Sequence, residues 1–252
     1  MRYLALAPIV VACCASLAHA DLLDGLVLYL PLDESAGRAA ADLSPTDAAS
    51  SVAGTATWEP GGGAFGGALD LSGARDGGVA TAHDFGTLES ATVAAWTRLE
   101  DPEPARWDYL FDTRSRDVDV DAGATYLGRN RDAAFRFGDF EAGPDTYPRG
   151  VWTHIVLSVD SRKTKLYVDG ELVEQWDGSD LNIGDRLTLG NRHTFADALH
   201  GALDEVAIWA RVLDAAEVRT LTTRAVMTSR AVAPAGKAAL VWAAVRGARA
   251  AQ

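Results

Sequence analysis

This sequence predicts an all-β fold: two antiparallel sheets packed face to face as a sandwich or jelly roll, with one short helix after the last strand. Three observations carry that expectation. Short apolar runs of four to eight residues recur between Gly, Pro and Asp turn signals, the spacing of a two-sheet β-domain. An Asp-Gly pair joins two alternating runs, a strong local hairpin signal. Helix signals are almost absent before Asp214.

Taken in order, Gly25–Leu32 (GLVLYLPL) reads as a buried strand, followed by Ala68–Leu71 and by Ala91–Arg98 (ATVAAWTR). Trp152–Val159 (WTHIVLSV) is β-branched and apolar. Polar residues 160–163 turn the chain into Lys165–Val168, where Lys and Tyr alternate with Leu and Val. Asp169-Gly170 then makes the tight turn into Glu171–Gln175. Leu187–Gly190 and Ala202–Trp209 (ALDEVAIW) supply two further strands. Asp214–Thr220 predicts the short helix, with Asp214 as N-cap and Glu217 at capping-box spacing. Residues 235–249 have the composition of a second helix.

Residues 1–20 read as a signal peptide. Arg2 is the positive start, Leu4 to Ser16 is an apolar run too short to cross a bilayer, and Ala18-His19-Ala20 is the cleavage site. The mature chain is expected to begin at Asp21 and to be secreted, periplasmic or extracellular. A lipid anchor at Cys13 is the weaker alternative, resting on the faint lipobox Val10-Val11-Ala12-Cys13. Both cysteines, Cys13 and Cys14, lie inside the signal, so no disulfide is expected in the mature chain. No later stretch is long and apolar enough for a transmembrane helix. Hydrophobic residues make up 48% and charged residues 23% of the chain, against wholesale disorder, and the net charge of -12 disfavours a nucleic-acid partner. After Glu217 there is no acid, but six Lys/Arg occur. Residues 222–252 therefore read as a basic, Ala-rich tail following a domain over 21–221.

Several of these motifs fall in an order that resembles the laminin G-like, concanavalin A-like jelly-roll domains of secreted bacterial proteins. They are LVLYLPLDESAG (26–37), FGGALDLSG (65–73), ATVAAWTR (91–98), WTHIVLSVDSRKTKLYVDGELVEQ (152–175), LTLGNR (187–192) and HGALDEVAIWARVLDAAEVRTL (200–221). The resemblance covers about residues 22–221. It implies one curved sheet whose concave face and rim loops take ligands, and in some members a calcium ion. The fold hosts lectins, adhesion modules and enzymes, so function has to be argued from the site.

The motif DVDVDAG (117–123) looks like a calcium loop but lacks the Gly and Glu an EF-hand requires, since Ala122 and Gly128 stand in those places. It also resembles the Glu-x-Asp-x-Glu strand of β-glucanases on this fold. Its aspartates are a methylene too short to converge as a retaining pair needs. A solvated acidic loop or a charged edge strand is the expectation for it. The stronger metal candidates are Asp33 and Asp204, acids inside apolar strand motifs, where a lone buried carboxylate is costly. The resemblance brings the first and last strands together, so Asp33 and Asp204 would hold one Ca²⁺, with Asp42 contributing. Trp107 and Tyr109, beside the Pro-rich 101–106 loop, are the candidate ligand-binding pair, a stacking platform for sugar. His193 and His200 bracket a loop that could reach the rim. Serine-nucleophile and phosphate-loop motifs are absent. The functional expectation is a secreted, non-catalytic binding or adhesion module for carbohydrate or an extracellular protein. The alternatives are a glycoside hydrolase or lyase on the same fold, and a structural surface protein.

Overall fold

In the computed structural model of the chain, the residues described are 21–100, 107–113, 126–129, 135–137, 140–142, 149–178, 181–184 and 187–227. The chain enters through a turn at 22–25 into β1 (Leu26–Leu30). Short strands follow: β2 (Ala39–Ala40), β3 (Ala49–Ala53), β4 (Thr57–Glu59), β5 (Ala68–Asp70), β6 (Gly78–Ala82) and β7 (Thr87–Leu88). The long β8 (Ser90–Leu99) leads to β9 (Asp108–Asp112), β10 (Tyr126–Arg129), β11 (Phe135–Phe137) and β12 (Phe140–Glu141). Then come β13 (Trp152–Asp160), β14 (Lys163–Val168), β15 (Glu171–Asp177), β16 (Leu181–Asn182), β17 (Leu187–Leu189) and β18 (Gly201–Trp209). The chain finishes with α1 (Ala215–Leu221).

The expected two-sheet antiparallel sandwich is what forms. One eight-stranded sheet has the order β15-β14-β13-β8-β18-β5-β4, with β1 also on β18, and the other has the order β12-β11-β10-β9-β17-β6-β3-β2. Between them lies a continuous apolar core that includes Leu28, Leu30, Leu69, Val93, Phe111, Phe135, Ile155 and Leu189. The Asp-Gly hairpin closes as expected, with Asp169 and Gly170 both at positive φ (49° and 82°), the conformation that a two-residue primed turn demands.

A second, smaller core lies on the outer face of the first sheet. Tyr29, Val156, Tyr167, Ala207 and Trp209 project outward there and are covered by Leu22, Leu213, Val218, Leu221 and Val226. The helix that supplies this cover is capped as the sequence predicts. The Asp214 side chain accepts from the Ala216 and Glu217 backbone amides, and Glu217 in return accepts from the Asp214 amide. The packed chain does not stop at 221: Val226 is buried, and its amide donates to Glu205 at 3.1 Å. The expected second helix over 235–249 and the signal over 1–20 lie outside the described residues.

Candidate functional site

The middle of the second sheet carries the first polar feature. β9 pairs Phe111 with Leu127 and then Tyr109 with Gly128, so one extra residue, Leu110, is inserted on β9. Such a bulge resets the inside-outside alternation. Leu110 and Phe111 both enter the core, while Tyr109 and Asp112 fall on the outer face of the sheet.

Asp108 and Asp112, at the two ends of β9, are both buried, and both anchor the segment 190–200. Asp112 Oδ2 accepts from the His193 amide and meets His193 Nδ1, each at 3.1 Å. Asp108 Oδ1 accepts from the His200 amide at 2.7 Å. The segment is closed at its neck, where the Leu199 amide donates to the Gly190 carbonyl. Inside it, Asn191 donates to the carbonyls of Arg75 and Gly77 and accepts from the Asp197 amide. A loop whose ends nearly touch and whose own polar groups fill it is an Ω-type loop, a frequent carrier of function. His193 Nε2 is buried without a hydrogen-bond partner. The loop that His193 and His200 were expected to bracket is therefore fastened to the second sheet by two aspartates.

Trp107 and Tyr109 come together as a stacked pair, ring centroids 6.3 Å apart and 27° between planes. The guanidinium carbon of Arg136 lies 5.8 Å from the Trp107 ring centroid. Tyr109 is buried and Trp107 half-buried, so Trp107 offers the ring surface and Tyr109 supports it from behind.

The second polar feature sits where the edge of β18 passes from one neighbour to the other. Ala202 and Leu203 pair with β5, whereas Val206–Trp209 pair with β1. A bulge falls between them, with Glu205 at φ +52°. The glycine-rich stretch 59–67 (EPGGGAFGG) folds into this gap. Asp204 Oδ2 accepts from the Phe65 amide at 2.9 Å, and Asp33 Oδ1 accepts from the Gly67 amide at 2.6 Å. Gly66 has φ +82°, and a Cβ there would collide with Asp33 Oδ1, so this loop can hold two carboxylates at close quarters only with glycine at that position.

Asp33 and Asp204, paired in the sequence reading, thus grip one loop. Asp204 is fully buried, and among the described residues no donor meets its Oδ1 with hydrogen-bond geometry. Burial, with the Glu205 and Asp33 carboxylates nearby, pushes its pKa up to about 8. Burial, with Asp33, pushes Glu205 up to about 7, although Glu205 accepts from the Tyr29 hydroxyl at 2.8 Å.

Asp42, the third expected metal ligand, is engaged differently. Its two oxygens accept from the amides of Tyr29, Ser44 and Ala48 and from the Ser44 hydroxyl. Four donors match the roughly four acceptor positions of a carboxylate, so Asp42 closes the 42–48 turn against β1 and has no capacity left for a metal. Among the described residues, no three His, Asp or Glu side chains gather as a metal-holding group. The DVDVDAG stretch and the 101–106 loop lie outside the described residues. Sequence reasoning missed the two β9 aspartates, because they sit at the ends of a run that reads simply as a strand (DYLFD). It also missed Glu205, which reads as an ordinary outward strand position until the outer core, with Tyr29 and Val226, covers it.

A two-sheet sandwich with one covered outer face, and polar loops tied to the other sheet and to the rim, defines the class. The profile of the concanavalin A-like lectin/glucanases superfamily matches residues 72–219, more than half of the chain, and the chain belongs to that laminin G-like family. Among solved structures it is similar to domain 4 of AbnA, a GH43 extracellular arabinanase from Geobacillus stearothermophilus, in complex with arabinotriose. That likeness has 17% identity and a TM-score of 0.62, covering 79% of this chain and 98% of that one. It is also similar to the binding domain of Paraclostridial Mosquitocidal Protein 1 (16% identity, TM-score 0.58, 80% of this chain). A third similar structure is the binding domain of Botulinum Neurotoxin DC in complex with SialylT (13% identity, TM-score 0.58, 80% of this chain). The matched region spans 52% of each of these two toxin domains. At such identities the likeness is one of fold. The chain has no significant match among curated protein sequences.

Proposed function

We propose that this chain is an exported, non-catalytic carbohydrate-binding module whose sugar-contacting surface is the outer face of the second sheet around Trp107. The observation that carries the reading is the stacked Trp107–Tyr109 pair under Arg136, set beside the pinned 190–200 loop. A half-buried indole on a rigid aromatic support presents apolar ring surface to a sugar, and the guanidinium over it donates to sugar hydroxyls. The non-catalytic reading rests on the β9 carboxylates. Glycoside hydrolysis takes two carboxyl groups flanking the scissile bond, whereas Asp108 and Asp112 are engaged in holding a loop. The sugar-complexed arabinanase domain and toxin binding domain on the same fold support binding as the coarse function. Export rests on the signal features of residues 1–20.

The reading includes one Ca²⁺ held by Asp33 and Asp204. The unpartnered, buried Asp204 Oδ1 fits a hard cation, which takes oxygen ligands from carboxylates and backbone carbonyls. Bound there, the ion would neutralise two carboxylates and lock the 59–67 loop. Asp33 and Asp204 already orient that loop through the Phe65 and Gly67 amides.

The test is a glycan array probed with the mature chain, followed by calorimetry on any hit. Binding should fall about tenfold or more in Trp107→Ala, as for loss of a stacking anchor of ~1.4 kcal/mol or more. An array without hits, or release of reducing ends from a bound glycan, would overturn the reading. For the ion, chelator should lower the melting temperature and added Ca²⁺ restore it. A melting temperature indifferent to both would remove calcium from the proposal.

A further inference from the structure

We infer that the chain carries a second sugar subsite, a rim cleft that takes a neutral sugar through Asp76 and Phe195; this rests on the carbohydrate-binding reading above. The cleft has a volume of about 510 Å³ and is lined by Ala53, Gly54, Asp76, Thr194 and Phe195, within the ~300–1,000 Å³ range of small-ligand sites. It lies where β3 leaves and β6 enters the second sheet, beside the pinned loop that supplies Thr194 and Phe195.

The lining is built to hold a polar ligand. Asp76 Oδ1 accepts from both the amide and the hydroxyl of Thr55, at 3.1 and 2.9 Å. Those two donors hold the exposed carboxylate in place at the mouth of the cleft. Gly54, at φ +61°, runs so close to Asp76 that a Cβ would collide with the Asp76 carbonyl, so the floor of the cleft is bare backbone. Phe195 adopts φ +55°, a conformation that is strained for an aromatic residue and persists only where the surroundings impose it. Here the imposition is visible: the Phe195 amide donates to the Arg192 carbonyl, and the residues on either side of that turn, Asn191, His193 and Asp197, are tied down.

A fixed carboxylate oxygen, a hydroxyl and a half-buried phenyl ring facing one cleft match the two surfaces of a pyranose or furanose ring. Hydroxyls would donate to Asp76 Oδ2, and the C–H face would pack on Phe195. The carboxylate stays ionised, because the two Thr55 donors hold it below its ordinary value. The charge makes the site selective: it accepts neutral sugars and repels uronates and sialates. The surface around Trp107 carries the Arg136 guanidinium instead of a carboxylate, so the two sites differ in the sugars they prefer.

The experiment is ligand-observed NMR on the mature chain, with galactose, glucose, mannose and arabinose compared with galacturonate and glucuronate. Neutral sugars should give saturation transfer, and at least one should bind tenfold or more tightly than its uronate. Asp76→Asn and Phe195→Leu should each weaken that sugar about tenfold, with circular dichroism and melting temperature unchanged. Thr55→Val removes the hydroxyl donor but keeps the amide donor and the carboxylate, and should weaken binding less than Asp76→Asn. Asp76→Asn and Phe195→Leu binding as the parent does would overturn the subsite. If the same sugar is instead lost in Trp107→Ala, the subsite is overturned while the carbohydrate reading stands. Failure of every neutral sugar here, with glycans bound on the array, would also overturn the subsite alone. Failure on both would overturn both.

Discussion

Two buried side chains show how single residues set the chemistry of this sandwich. His154 in β13 is 2% exposed, lies beside the Trp96 ring, and leaves Nδ1 without a partner. Burial drives its pKa down from 6.5 to about 3. The unfolded chain therefore binds a proton below pH 6.5 that the folded chain refuses. The His154 contribution to stability should be fully present above pH 6.5 and be lost as pH drops towards 3, by up to ~1.4 kcal/mol per unit, against the opposite slope of Asp204 and Glu205, whose raised values favour the folded state as pH falls. Urea denaturation of the mature chain at pH 7, 6, 5 and 4 measures this slope. The stability of the parent relative to His154→Gln should fall with pH by that amount, and a pH-independent difference between the two would assign no part of the pH dependence to His154. Tyr29 is the second case. Its hydroxyl donates to both oxygens of Glu205, at 2.8 and 2.9 Å, and Tyr29→Phe would leave a buried carboxylate short of a donor. The expected loss is ~1–3 kcal/mol, read from the denaturation midpoint.

At the scale of elements, α1 rests on its N-cap. Asp214→Ala removes the side-chain oxygen that accepts from the Ala216 and Glu217 amides, leaving only the Glu217 contact to the backbone amide of residue 214, and ~1 kcal/mol of stability should go with it. Denaturation at constant m-value would check that. The capping box was legible because its residues are local and their spacing is fixed by helix geometry. So were β8, β13, β14 and β18, runs whose burial on one or both faces is written in their periodicity, and β15 through its Asp-Gly turn. The second sheet was much less legible. Strands such as ASSVA and GVATA are five residues of small side chains, too short and too polar to show a period. The same contrast runs through the site. Asp33 and Asp204 could be singled out because an acid inside an apolar strand is anomalous. Asp76, Thr194 and Phe195 read as ordinary loop residues, since only the tertiary fold brings them to one cleft. Asp42 shows the reverse: an acid in the expected place turned out to be filled by four donors of its own turn.

For the whole molecule, the second core decides where the domain ends. Val226 is 2% exposed within it. A chain ending at Leu221 should lose ~1.5–3 kcal/mol of apolar burial together with the amide that Val226 gives to Glu205. A chain ending at Met227 should keep both. Thermal melts of the two truncations should therefore differ by several degrees, with the longer one matching the mature chain. Equal melting temperatures would place the domain boundary back at 221.

The same core gives the molecule a front and a back. Leu22 at the start and Val226 at the finish are both buried on the helix-covered side, and Arg211 clasps the Asp21 and Asp24 carbonyls beside it. Both ends of the packed chain therefore emerge from the face opposite the second sheet. Whatever the chain is joined to through either end, the Trp107 surface and the 190–200 loop point away from the attachment. The domain works like a stud with its two prongs on one side, and a module joined there leaves the Trp107 face uncovered.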